Sequence, residues 1–181
     1  MKQQLTMFES YPIENDVVYT PDYVALDIIN WLNPAGKCLD PCKGDGAFLK
    51  YLPDNSDWCE IQEGKNFFDY SKKVAWIVSN PPYSIFEDFL THSFSLAENV
   101  AFIVPTNKIF QRRKIMDIIT KYGGIKGLRV YGSGTNIGFP FGFSVGTFYF
   151  AKGYNGPTEI IFANPLPNYA VQGSLYKTSA P

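Results

Sequence analysis

Two apolar patterns alternate along this chain. Short, nearly continuous runs at 37–40, 58–61, 74–78, 99–104, 125–131 and 145–150 have the length and composition of strands, and the longer ones read as strands covered on both faces. Between them the apolar positions change to helical spacing. Val24, Ile28 and Leu32, with Ala25 and Trp31, form one stripe; Phe86, Phe89, Leu90 and Phe94 form a second. Thr20-Pro21-Asp22 reads as the start of the first helix, with Thr20 as N-cap and proline at the first helical position, and Asn33-Pro34-Ala35-Gly36 ends it. A short helix is expected over 47–52 and a basic one over 109–122, stopped by Gly123-Gly124. Strands alternating with helices predict an α/β fold with a mostly parallel sheet. The last two long runs, joined by a loop, predict an antiparallel pair near the C-terminal end, and 159–162 is at most one further short strand.

The turns between these elements carry the chemistry. Ser79-Asn80-Pro81-Pro82-Tyr83 follows the third strand, and two successive prolines hold Asn80 extended at its carboxyl end, the edge where open α/β sheets bind ligands. The turn offers the Asn80 amide oxygen, the Pro81 carbonyl and the Tyr83 ring, a set suited to a planar group bearing an NH2. An ordinary proline-rich turn is the plainer reading of the same residues. Upstream, the first strand runs into Pro41-Cys42-Lys43-Gly44-Asp45-Gly46 and then the short helical run. Strand, glycine turn, helix is a nucleotide-binding arrangement, although it has neither the GK[ST] of a phosphate loop nor a full GxGxxG. Glu60, about twenty residues further on, stands where an acidic side chain takes ribose hydroxyls, or is simply an exposed residue at a strand end. The loop 64–70 is rich in aromatics, and one of Phe67 and Phe68 could lie flat on a purine.

Length and composition narrow the possibilities. The chain has 181 residues, enough for one domain with a sizeable core, and a single domain over 1–181 is expected, with 1–18 an irregular lead-in and 152–181 a short tail. No run approaches transmembrane length and the N-terminus lacks the regions of a signal peptide, which points to the cytoplasm. Three cysteines without a CxxC pair and a single histidine argue against a disulfide framework and against a metal site. The formal net charge is only −1, but residues 1–107 carry 7 Lys/Arg against 15 Asp/Glu, whereas 108–181 carry 9 against 2. Lys108, Arg112, Arg113, Lys114, Lys121, Lys126 and Arg129 fall in one span interrupted only by Asp117. They read either as a phosphate-facing surface or as a solvated helix face.

In this order, and each after a predicted strand, Asp40-Pro41-Cys42-Lys43-Gly44-Asp45-Gly46-Ala47-Phe48 and Asn80-Pro81-Pro82-Tyr83 resemble the cofactor and catalytic motifs of the S-adenosylmethionine-dependent amino methyltransferases, chiefly the DNA adenine-N6 family. The resemblance covers residues 19–151. It implies a Rossmann-like class I methyltransferase sheet, S-adenosylmethionine as cofactor, and methyl transfer to the N6 amine of an adenine that is flipped out or single-stranded. Asp40, Pro41 and the backbone of Gly44 and Gly46 would hold the methionine end, with Thr20 at its carboxylate. Glu60 would take the ribose and Phe67 the cofactor adenine. Asn66, or Asp69 in its stead, would accept from the cofactor's amino group. Asn80 and Pro81 would accept from the target amine, Pro82 would stiffen the turn, and Tyr83 and Phe139 would sandwich the base. Lys108, Arg112 and Arg113 would face the backbone of the nucleic acid.

The span between Glu60 and Asn80 is too short for the elements the family inserts there, so a sheet reduced by one strand is expected. Residues 151–181 are too few for a separate target-recognition region, which a partner chain or the glycine-rich loop 132–143 would have to supply. An RNA adenine-N6 methyltransferase would share every motif, and cytosine N4 fits the same turn. A glutamine-N5 protein methyltransferase, or a non-catalytic subunit binding nucleic acid, are the remaining rivals, with DNA favoured over RNA as partner.

Overall fold

A computed structural model describes residues 17–163, so most of the lead-in and of the C-terminal tail lies outside the described residues. Seven strands form one sheet: β1 (Cys38–Asp40), β2 (Asp57–Trp58), β3 (Val74–Ser79), β4 (Ala97–Pro105), β5 (Gly123–Ser133), β6 (Ser144–Lys152) and β7 (Glu159–Phe162). Their spatial order is β2-β1-β3-β4-β6-β5-β7. Every neighbouring pair is parallel except those made by β6, which runs antiparallel to both β4 and β5. This is the expected mostly parallel α/β sheet with its antiparallel strand near the C-terminal end.

Two apolar layers sandwich the sheet. On one face α1 (Asp22–Leu32) packs Val24, Ala25 and Ile28 into a cluster with Val78, Ala101 and Ile103. On the other, α2 (Phe86–Leu96) and α4 (Arg113–Tyr122) bring Phe89, Leu90, Ile115 and Ile119 onto Phe102, Phe148 and Phe150. Residues 100–104 of β4 are completely buried, which accounts for their unbroken apolar run.

Between β2 and β3 stand only two short 3-10 turns, Ile61–Glu63 and Phe67–Asp69, as the brevity of that span required. The sheet still reaches seven strands because β7 joins the opposite edge beside β5. Four local expectations are corrected. Thr20 does not cap α1: Pro21 occupies the cap position, its carbonyl taking the N–H groups of Val24 and Ala25, while the Thr20 side chain is buried. Residues 47–52 form successive turns, not a helix. The glycines before this run and Pro53 after it leave little room for a helix, and the proline disfavours helical backbone at Leu52. The second strand ends at Trp58, so Glu60 lies beyond it, bridged to Lys65. The basic helix is two, α3 (Asn107–Phe110) and α4, separated by extended backbone at Arg112. A continuous helix would stack Lys108 on Arg112 one turn apart, a repulsive spacing. The chain leaves α4 directly into β5 at Gly123, where a side-chain carbon would stand 2.2 Å from the Ala151 carbonyl oxygen.

A candidate ligand site at the carboxyl ends of the strands

The chain runs from β1 outward to β2 and then returns to place β3 on the other side of β1. That reversal opens a crevice at the carboxyl ends of β1 and β3, the position where open α/β sheets hold ligands. Because Leu39 pairs with Ile77, the turns that follow these strands, Pro41–Gly46 and Asn80–Tyr83, lie side by side although they are forty residues apart in sequence. A cavity of about 220 Å³ fills the crevice. Its wall includes Pro41, Cys42, Gly44, Glu60, Asn66, Phe67 and the whole of Asn80–Tyr83.

Hydrogen bonds fix each part of this wall. The N–H of Lys43 donates to the Cys59 carbonyl and that of Cys59 to the Asp40 carbonyl, both at 2.9 Å, which fastens the glycine turn to the segment carrying Glu60. Glu60 then accepts from the backbone N–H of Gly44 at 2.8 Å through one carboxylate oxygen and from that of Gln62 at 3.1 Å through the other. Gly44 has φ +54° and lies against the Tyr19 ring, so a glycine suits both its backbone and its surroundings. Asn66 caps the turn Phe67–Asp69 by accepting from the Phe68 N–H at 3.1 Å. Phe67 is buried against Phe89, with ring centroids 4.5 Å apart.

The asparagine of the proline turn is oriented by the segment before α1. Asn80 Nδ2 donates to the Val18 carbonyl at 2.8 Å, an assignment chemistry dictates because a carbonyl can only accept. The Oδ1 atom is therefore turned the other way, where it accepts from the Tyr83 hydroxyl at 3.0 Å. Beneath the turn runs a buried network. Ser79 Oγ donates to Asp40 Oδ1 at 2.7 Å, and the Cys42 thiol lies 3.0 Å from both Ser79 Oγ and the Asn80 carbonyl, to which it donates. Burial, opposed by the Ser79 hydroxyl and the Cys42 N–H, pushes the Asp40 carboxyl up to about 7. Burial and the neighbouring Asp40 also raise the Cys42 thiol well above its usual range, so it stands there as a neutral donor.

The structure thus brings together Pro41, Gly44, Glu60, Asn66, Phe67, Asn80, Pro81, Pro82 and Tyr83. Thr20, Asp40, Gly46 and Asp69 are not on the cavity wall. Phe139, expected at an exposed loop tip, is 3 % exposed and packed in the α1-side core. Its place beside the turn is taken by Phe141, whose ring meets Tyr83 edge-on at 6.1 Å and stacks on the exposed Phe143 at 4.8 Å. The basic span does not form one surface. Arg129 makes a two-pronged bond to Asp27 of α1 at 2.7 Å, Arg113 pairs with Asp117 and Lys114 with Glu87. Lys108 and Arg112 stay near the turn, Lys108 donating to the Tyr83 carbonyl at 3.2 Å. Sequence reasoning missed Val17, Val18 and Tyr19 on the wall and gave Cys42 no role of its own there. Val17 and Val18 sit in a stretch with no apolar period, and Cys42 was otherwise weighed as a disulfide or metal candidate.

No family model matches this sequence, and no curated protein matches it. Solved structures do. A Listeria monocytogenes protein assigned to the class I S-adenosylmethionine-dependent methyltransferases superposes with a TM-score of 0.65 at 14% identity, over 90% of this chain and 71% of that one. A Pyrococcus horikoshii protein assigned as an RNA methyltransferase gives 0.59 at 14%, over 82% and 93%. The modification subunit assigned to a type I restriction enzyme of Vibrio vulnificus gives 0.58 at 14%, over 80% of this chain but only 46% of its own length. What these likenesses establish is the architecture, the sheet of the class I methyltransferases.

Proposed function

We propose that this protein transfers a methyl group from S-adenosylmethionine to the exocyclic amine of a nucleobase, with adenine N6 in DNA as the preferred target. One observation carries this reading: the Asn80 amide is clamped by Val18 so that its oxygen is turned to Tyr83, and both residues line a cavity shared with Pro81, Glu60 and Phe67. Asn80 Oδ1 and the Pro81 carbonyl would accept the two N–H groups of the target amine, favouring a pyramidal nitrogen with its lone pair exposed; no strong base is required. Bound cofactor supplies an electrophilic methyl group on a sulfonium. Glu60, held by two backbone N–H groups, keeps lone pairs for a pair of ribose hydroxyls, and Phe67 offers a buried ring to the cofactor's purine. Behind the cavity wall, Thr20 Oγ1 and Asp40 Oδ2 are buried with no hydrogen-bond partner among the described residues, a cost of about 1–3 kcal/mol each.

The fold neighbours support methyl transfer as the chemistry and include both kinds of nucleic-acid enzyme. RNA is the second reading. It is favoured by the likeness spanning 93% of the Pyrococcus protein, against less than half of the Vibrio subunit. Incubation with labelled S-adenosylmethionine and duplex DNA, single-stranded DNA, RNA or protein, followed by identification of the modified residue, tests the reading. N6-methyladenine in DNA is expected. Label confined to RNA selects the second reading, and label confined to protein overturns both.

A further inference from the structure

A second cavity, of about 270 Å³, adjoins the first and shares Tyr83, Ser84 and Ile85 with it. Its far wall is α3 and the start of α4. The backbone N–H of Gln111 donates to the Asn107 carbonyl at 3.0 Å, so these two residues lie one helical turn apart on one face, and both line the cavity. Their amide groups hydrogen-bond to nothing among the described residues. The charges around them nearly balance. Lys108 and Arg112 stand on the α3–α4 side, Asp88 and Glu87 on the α2 side, with Glu87 already paired to Lys114. A cradle for a bare phosphate would not set two carboxylates against two cations. Amide pairs between balanced charges are instead the groups that read a base edge through one donor and one acceptor.

We infer that this second cavity receives the base next to the target in the substrate strand, and that Asn107 and Gln111 read its edge, with adenine as the base whose N6 and N7 they match. The inference rests on the reading of the protein as a nucleic-acid methyltransferase. Position and connection both favour it. The cavity begins where the catalytic turn ends, so a strand whose target base enters beside Asn80 carries its neighbour past Tyr83. Lys108 bridges the two sites by donating to the Tyr83 carbonyl.

The test uses short single-stranded oligonucleotides, as DNA and as RNA, with one target adenine flanked on either side by each of the four bases. Affinity is read by fluorescence anisotropy and methyl transfer as kcat/KM, for the wild type and for Asn107→Ala/Gln111→Ala. Both side chains are exposed, and cofactor binding by the double variant checks its fold. The wild type should prefer adenine on one side by about 5- to 150-fold in affinity, the range of one good bidentate base contact. The double variant should lose that preference. Wild-type affinity indifferent to the flanking base, or a preference that survives removal of both amides, overturns the subsite. Methyl transfer without flanking preference overturns the subsite alone, and flanking preference without methyl transfer leaves the subsite standing while overturning the proposed reaction.

Discussion

The two aromatic-bearing segments beside the Asn80–Tyr83 turn differ in what shapes them. The side next to β1 is a set of short turns stitched by main-chain hydrogen bonds among Asp40, Cys59 and Lys43 and by the Glu60 carboxylate on the Gly44 N–H. The outer side is the Phe139–Phe143 segment, a ladder of rings running from the core to solvent: Phe139 buried, Phe141 half-buried, Phe143 56 % exposed. Ring contacts run along it, and its two ends are tied to Gly134, whose carbonyl accepts from the Phe139 N–H at 3.0 Å and whose N–H donates to the Phe143 carbonyl at 2.8 Å.

Substitutions on either side should separate the two. The largest effect is expected at the turn itself: Asn80→Ala should lower methyl transfer by about 100- to 1,000-fold, as loss of a preorganised transition-state contact does, while cofactor affinity by calorimetry stays close to wild type. Joint loss of cofactor binding would remove Asn80 from its assigned role. Within the ladder, Phe139→Ala should cost about 3–5 kcal/mol of stability, read as a lowered Tm, because it empties a core position. Phe141→Ala should leave Tm nearly intact and weaken oligonucleotide affinity by about 5- to 150-fold, the worth of one stacked base. If instead Phe139→Ala preserves Tm and weakens the oligonucleotide, the stacking ring is Phe139 after all.

The end of β1 has a pH signature. Asp40 ordinarily ionises near pH 4, and burial raises it to about 7 in the folded chain. A raised folded value means that its contribution to stability is complete below about pH 4 and is lost as pH rises through 7. Wild type should therefore lose Tm between about pH 4 and 7 relative to Asp40→Asn, and an identical pH dependence in the two would show that Asp40 titrates normally. The smallest effect is expected on the outer surface. Charge reversal of Arg112 and Arg113 should flatten the salt dependence of oligonucleotide binding by about 0.9 for each phosphate contact removed in a duplex. An unchanged slope would return both to the solvent-facing role that the Arg113–Asp117 pair already suggests.

How much of this was legible in the sequence depended on whether the signal was local. β3 and its proline turn, the glycine turn after β1, and the antiparallel strand were readable because proline, glycine and apolar runs constrain the backbone where they stand. The place of Glu60 was readable from spacing alone, although the strand expected to carry it ends two residues earlier. What could not be read was contact between distant segments. Val18 reaches Asn80 across 62 residues, and the Cys42 thiol finds the Asn80 carbonyl only because β1 and β3 are neighbours. The burial of Phe139 was hidden for the same reason: nothing in Phe139-Pro140-Phe141-Gly142-Phe143 says which ring faces α1. The basic span misled because linear charge density ignores partners, and Asp27, which claims Arg129, lies 102 residues upstream.

The bond from the Tyr83 hydroxyl to Asn80 Oδ1 bears on how a turnover would end. In the free protein that hydroxyl occupies an acceptor which, on the proposed reading, an incoming amine must take over. A primary amine brings two N–H groups for Asn80 and Pro81, but its methylated product has one, so one acceptor falls vacant and the tyrosine is at hand to reclaim it. Tyr83 would then act as a built-in competitor that loses to substrate and wins against product. Tyr83→Phe should accordingly bind the methylated oligonucleotide more tightly relative to the unmethylated one, and an unchanged ratio would leave the hydroxyl with no part in product release.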